Sequence, residues 1–275
     1  MYRYINIYIY ICVCVCVFLC ACAFRLSYTY SNLYQDVAWN SSSSSSSASG
    51  NAPPCFPLSW TLSPNLVQLA PAILRWYFAQ GARSQGRDWF IMPPSGTLYS
   101  YPGLMPTAVQ QMYKEQQNAQ AVVMNTTGSV HWEWIFTWKA AWDHYFPLYV
   151  NETQATRAFF LNNVPWVIPI PDMFFLGETY RIIGSAHWPE AVVAFKPAFN
   201  WQEDGPSGGL PYNSTVIAHL INAFKQGSVQ YVYVIQNTDI NSIFSMVEQL
   251  APHVELVGYA QLADLAMQRA RRKSD

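Results

Sequence analysis

Asp88-Trp-Phe-Ile-Met-Pro-Pro-Ser-Gly-Thr-Leu-Tyr-Ser-Tyr-Pro102 joins a short apolar run to a polar turn. Trp89 to Met92 have the character of a buried strand. Pro93 and Pro94 end it, because proline has no N–H to give to a sheet ladder. The chain therefore leaves the sheet and enters a loop carrying Ser95, Gly96, Tyr99 and Tyr101. Two tyrosines at i and i+2, held between Gly96 and Pro102, offer flat rings with hydroxyl tips, a chemistry suited to stacking on a sugar or another amphipathic ring. The same two rings could also pack down on the domain and cap it.

Outward from this loop, strands and helices alternate. Pro57 to Thr61 is a short extended run, and Ser63-Pro64 then opens a helix toward Gln80 that Gly81 closes and that Pro71 should bend or split. After the tyrosine loop come a polar helix from about Pro106 to Gln117 and a third strand, Ala121 to Asn125. That strand ends in Thr126-Thr127-Gly128, and an aromatic helix containing His131, Trp132, Glu133, Trp134 and Trp138 follows. Leu148 to Asn162 reads as a loop with a short helix, Val164 to Ile168 as a fourth strand ending at Asp172, and Arg181 to Ile183 as a small extra strand. Ala191 to Phe195 is a fifth strand, followed by the mobile flap Gly205 to Gly209. Tyr212 to Gln226 places Val216, Ile217, Leu220, Ile221 and Phe224 on one helical face. Gln230 to Gln236, a helix to Leu250, Val254 to Val257 and a last helix from about Ala260 complete the pattern.

About seven apolar strands, each followed by a helix, predict an α/β fold with a parallel sheet. The unusual polar and aromatic residues cluster just after strand ends, as they do in (β/α) barrels, so a distorted or incomplete barrel of about seven parallel strands is expected. An open doubly wound sheet predicts the same alternation.

The turn Gly96-Thr97-Leu98-Tyr99-Ser100-Tyr101-Pro102 resembles the signature of the GxGYxYP family of putative glycoside hydrolases, with Leu98 in place of the second glycine. The resemblance continues through Asn125-Thr-Thr-Gly128, Tyr231-Val-Tyr-Val-Ile-Gln-Asn-Thr-Asp239 and Val257-Gly-Tyr-Ala-Gln-Leu262, and covers most of residues 56 to 270. It implies a carbohydrate-related function. A glycine here would serve positive φ or a close approach to the backbone, so Leu98 bears on both loop shape and activity.

Residues 1–55 differ from the body spanning 56–275. Tyr and Ile alternate through Tyr8 to Ile11, Cys and Val through Cys12 to Val17, and Ser41 to Ser47 is a pure serine run. Alternating TA reads in frame as Tyr-Ile and alternating TG as Cys-Val, which points to translated repeats behind a wrongly assigned start codon or a retained intron. Read as protein, Ile5 to Phe24 carries no charge and is long enough for a bilayer-spanning helix, with Arg3 before it and a signal-peptidase-like Ala21-Cys-Ala23. A genuine segment would therefore make the protein secreted or membrane-anchored. Asn125, Asn151 and Asn213 each begin an N-x-S/T triplet, usable on that route.

All six cysteines lie at or before Cys55, so the body has no disulfide framework. A net charge of -1 gives no electrostatic footprint for nucleic acid. Arg269, Arg271, Arg272 and Lys273 read as charges complementing a helix C-terminus. The five histidines form no H-x-x-x-H or H-E-x-x-H pair, so neither a metal nor a cofactor is called for.

Glycosidic hydrolysis generally uses two carboxyl groups about 5 to 9.5 Å apart. Asp172 and Asp239 are the favoured catalytic pair, with Glu133 third and Glu203 and Asp204 in the loop after strand five. Asp239 also has the composition of a helix N-cap. Glu133, between Trp132 and Trp134, is either an acid raised by desolvation or a solvent-facing helical residue. Ser95, Gly96, Tyr99, Tyr101, Trp132, Trp201 and Asn237 are the candidate sugar-binding residues, whereas Trp76, Trp89 and Trp166 read as core. The expected ligand is a carbohydrate, met either by a hydrolase or by a non-catalytic binding protein of the same fold. A membrane-tethered scaffold is a third reading, conditional on a genuine N-terminal segment.

Overall fold

The computed structural model describes the backbone of residues 7–13, and residues 57–83, 88–134, 136–151, 154–162, 180–201, 212–234 and 240–274. Within them the chain is α/β. Strands β1 (Ile7–Val13), β2 (Leu58–Thr61), β3 (Asp88–Ile91), β4 (Gly128–His131) and β5 (Ala158–Leu161) form its first half. Strands β6 (Tyr180–Ile183), β7 (Val192–Phe195), β8 (Phe199–Trp201), β9 (Val229–Val234) and β10 (Val254–Leu256) form its second. One sheet has the order β3-β2-β1-β9-β8 with β10 also against β1, and the other has the order β4-β5-β7-β6. Every pairing is parallel except β6 with β7. A bridge from Met92 to Ser129 joins β3 to β4 across the two sheets. On the other side, β7 and β8 belong to one run of chain, separated only by Lys196-Pro197-Ala198.

β2, β4, β5, β7 and β9 are buried along their whole length, as parallel strands covered on both faces must be. Tyr231 and Tyr233 of β9 enter a core shared by both sheets, with Ile91, Val130, Phe160 and Phe195. Val232 and Val234 point the other way, into a layer with Trp60, Trp201, Ile217 and Phe244 beneath the Ser214–Asn222 and Ile240–Glu248 helices. A third cluster packs Tyr113, Trp138, Tyr145, Phe146 and Tyr149 against Phe159 and Val192.

Pro71 divides its helix into a turn at Leu66–Leu69 and a helix at Pro71–Arg83, while Gly81 stays inside the helix because Phe90 packs on it. Asn213 caps the Ser214–Asn222 helix by accepting from the Val216 N–H at 3.1 Å.

Several expectations are corrected. Ala121 to Asn125 is not a strand: the Thr107–Val123 helix runs through it, leaving Val122 and Val123 exposed, and β4 begins only at Gly128. Asn125-Thr-Thr-Gly128 therefore enters a strand rather than leaving one. Asn125 has a φ of 48°, and the Thr126 hydroxyl meets Tyr259 Oη at 2.9 Å. The run His131 to Trp134 is strand end and loop, not helix. Ala158 to Leu161, read as loop, is a strand. Trp76 and Trp89, read as core, are about two-fifths exposed.

The Tyr-Ile alternation set apart in the sequence forms β1, a strand between β9 on one side and β2 and β10 on the other. Period-2 alternation of aromatic and β-branched residues favours a strand over a helix. The rest of the proposed signal or anchor, and the strand expected at Val164 to Ile168, lie outside the described residues, as does the flap at Gly205 to Gly209. Among the described residues no helix is long and apolar enough to cross a membrane.

Candidate functional site

The tyrosine loop leaves the C-terminal end of β3, and Trp132 to Trp134 leave the C-terminal end of the adjacent β4. Neighbouring parallel strands thus deliver both ring-bearing segments to one edge. The rings form a continuous row. Trp132 and Tyr99 have centroids 5.4 Å apart, Tyr99 and Tyr101 6.2 Å, and Tyr101 and Trp134 6.1 Å. Tyr99 is 61% and Trp134 51% exposed, while Tyr101 and Trp132 are half-buried.

Two buried side chains tie the segments together from beneath. Ser95 Oγ accepts from the Trp132 N–H at 3.1 Å and shares its own hydrogen between the carbonyls of Trp132 and Ser100, each at 2.8 Å. Glu133 makes the second tie. Its Oε1 accepts from the Gly103 N–H at 2.7 Å and its Oε2 from the Thr137 hydroxyl at 2.6 Å. His131 Nε2 lies 3.0 Å from Oε1, and since a carboxylate accepts, this nitrogen carries the hydrogen. His131 Nδ1 has no partner among the described residues. Gly103 can come this close because a Cβ there would stand 2.6 Å from the Thr137 carbonyl.

The floor of the loop is the Tyr113 hydroxyl, from the Thr107–Val123 helix. It accepts from the Leu98 N–H at 3.2 Å and the Ser100 hydroxyl at 2.9 Å, and lies 2.9 Å from the carbonyls of both Ser95 and Leu98. Burial pushes this phenol above its ordinary value, so it stays protonated and able to donate. Gly96 has a φ of 92°, and a Cβ there would overlap the Gln117 amide. Gln117 is held in place, because its Oε1 accepts from Tyr145 at 2.9 Å and Tyr149 at 2.8 Å. Burial raises both of these phenols well above their usual range.

Among the described residues Asn125 is the only non-glycine with positive φ. Leu98 therefore occupies the family's glycine position in an ordinary conformation, with its side chain more than half exposed.

The structure brings together Ser95, Gly96, Tyr99, Tyr101, Trp132 and Glu133 from the sequence-based set. Ser95 and Gly96 lie beneath the rings rather than on the surface, and Glu133 is buried, not solvent-facing. Trp201 does not join them. It has no exposed surface, donates its indole N–H to the Tyr212 carbonyl at 2.8 Å and packs in the outer core, so it offers no face to a ligand. Asp172, Asn237, Asp239, Glu203 and Asp204 lie outside the described residues.

Two polar residues at strand ends escaped the sequence reading. Asn162, after β5, is buried and donates its N–H to the His131 carbonyl at 2.8 Å. Lys196, after β7, is also buried, and loss of solvation lowers its ammonium to about 8. Each is the first polar residue after four apolar ones, which is the signal that was available.

Taken together, the elements define an α/β domain of mainly parallel strands that presents an aromatic row on the loops after β3 and β4. The chain belongs to the GxGYxYP family: the model described as "GxGYxYP putative glycoside hydrolase C-terminal domain" matches residues 28–267. Its fold is similar to a solved "putative hydrolase" from Bacteroides thetaiotaomicron, with a TM-score of 0.65 and 20% identity over 98% of this chain and 46% of that one. A 4-alpha-glucanotransferase from Thermococcus litoralis is more distant, with a TM-score of 0.47 and 9% identity over 94% of this chain and 40% of that one. The chain thus spans less than half the length of either solved protein. No curated protein matches it by sequence.

Proposed function

We propose that this chain is the carbohydrate-handling part of a glycoside hydrolase, binding its substrate on the rings of Trp132, Tyr99, Tyr101 and Trp134. The observation that carries the proposal is the double tie beneath those rings, Ser95 to Trp132 and Glu133 to Gly103, which holds four amphipathic side chains in a fixed row at one edge of the sheet. Aromatic rings with polar tips suit sugars, whose faces are apolar and whose rims are hydroxylated. Family membership supports the same substrate class.

We further propose that the two sheets, with β1 in place between β9 and β2, form a distorted, incomplete barrel. The Met92 to Ser129 bridge would join the two sheets on one side and the β7–β8 run on the other. In that arrangement the ends of β3, β4 and β9 open on one face. Asp239, directly before the Ile240–Glu248 helix that follows β9, and Asp172 would supply the acid and base there, with Asn237 beside them.

A second reading, a binding protein without turnover, is favoured by one observation: both oxygens of Glu133 are engaged by Gly103, Thr137 and His131, so this carboxylate acts as a tie. A panel of aryl glycosides and polysaccharides tests the two readings. Release of reducing ends that Asp172→Asn or Asp239→Asn abolishes, with binding retained, is the expected result. Binding with no release supports the second reading, and unchanged turnover in both variants removes the two aspartates from the mechanism.

A further inference from the structure

We infer that the ligand is an extended, neutral glycan of several sugar units lying along the ring row. The inference rests on the carbohydrate reading of this site. A site that captures a single small molecule encloses it, burying most of the ligand in a concavity. The row does the opposite: Tyr99 and Trp134 each expose more than half their surface. One sugar set on one exposed ring buries a single face, so useful affinity has to be collected from several rings together.

The spacing allows this. Successive centroids at 5.4, 6.2 and 6.1 Å match the scale on which one hexose follows another in an extended chain. Adjacent rings are inclined at 42°, 72° and 64°, so the row offers faces and edges in turn rather than one flat slab, which suits a glycan whose units rotate along its length. The ties at Ser95 and Glu133 hold both halves of the row before any ligand arrives, which lowers the ordering cost of binding. Charge sets the class. Ser95 to Leu104 and Trp132 to Trp134 contain neither Lys nor Arg, so the row itself offers no cation for a uronate or a sulfate. Leu98, more than half exposed beside Tyr99, adds apolar surface where the family signature has glycine.

The test is calorimetric titration of the full chain with cello-, manno- and malto-oligosaccharides of one to six units. In the series that binds, affinity should climb at least tenfold from one unit to four and then level off. Trp134→Ala, at one end of the row, should cut binding of the longest ligand by about 3- to 10-fold, the loss of one ring contact. Tyr99→Ala, in the middle, should weaken all lengths. A monosaccharide bound as tightly as its hexasaccharide overturns the inference while leaving the carbohydrate reading intact. Silence across all three series also overturns it, and reaches the carbohydrate reading only if the aryl glycoside panel is silent too.

Discussion

Glu133 separates a structural from a chemical account of this site, and its replacement has a calculable cost. Glu133→Ala strands three donors. The Thr137 hydroxyl can turn to the Trp134 carbonyl, 2.9 Å away, and the part-buried Gly103 N–H is within reach of water, but the His131 Nε2–H is buried with no replacement. A fully buried donor left unmet costs about 1–3 kcal/mol and a part-buried one less, so a total of about 2–4 kcal/mol is expected before any cavity is counted. At about 2 °C per kcal/mol for a domain of this size, the melting temperature should fall by about 4–8 °C. Glu133→Gln keeps one carbonyl oxygen for Gly103, and its amide can donate to the Thr137 oxygen. It forfeits mainly the charge assistance, about 1 kcal/mol, or about 2 °C. Melting followed by circular dichroism, with the Trp132 and Trp134 environment read by fluorescence, distinguishes the two variants. A Glu133→Ala protein that melts within a degree of the parent refutes the tie. A Glu133→Gln protein of parental stability that has lost all turnover would instead make Glu133 a catalytic acid.

Gly96→Ala forces a side chain onto a residue at φ 92° and into Gln117, which two tyrosine hydroxyls hold. A loss of about 2–4 kcal/mol in urea unfolding is expected. Leu98→Gly, which restores the family residue, should cost only about 0.5–1 kcal/mol in the same assay, because Leu98 already sits at negative φ and the change mainly frees the unfolded chain. For Lys196 the folded value of about 8 lies below the ordinary 10.5, so between those limits the unfolded chain holds more protons and stability rises with pH. Tyr145 and Tyr149 act in the opposite sense: their raised folded values make stability fall once the pH passes the unfolded phenol value of about 10. A Lys196→Met variant should therefore lose the rise that starts near pH 8 and keep the fall above about 10, which unfolding curves across pH 7 to 11 would show.

Much of the fold was legible because its strands are short apolar runs closed by proline, glycine or a polar residue. β3, β7 and β9 have that form, and the split at Pro71 follows from its missing N–H. The misses have two causes: a helix that continues through strand-like composition, and a strand whose pairing is set by distant partners. Ala121 to Met124 has the residues of a strand, yet its backbone continues the Thr107–Val123 helix, with the Met124 N–H bonded to the Gln120 carbonyl at 2.9 Å. β5 was hidden because the polar Asn151 to Gln154 precedes it, and nothing local announces that Ala158 to Leu161 will lie between β4 and β7.

The site divides along the same line. That the loop after β3 gathers rings was readable at Tyr99 and Tyr101, between Gly96 and Pro102, whereas Trp132, expected on a helix, leaves the end of β4 instead. What holds the rings was not, since Glu133 meets a backbone N–H thirty residues away and Ser95 one thirty-seven away. That difference explains why Glu133 looked like a catalytic acid in the sequence. A carboxylate between two tryptophans signals desolvation, and desolvation alone does not say whether the group is spared for chemistry or spent on hydrogen bonds. Here the bonds to Gly103, Thr137 and His131 engage both oxygens of Glu133 in the folded state, and the acid and base we propose are Asp172 and Asp239. If the pair is correct, Glu133→Ala should lower affinity for long glycans by loosening the ring row while leaving the rate on a small aryl glycoside nearly unchanged. A loss in that rate equal to the loss in affinity would count against the division of labour.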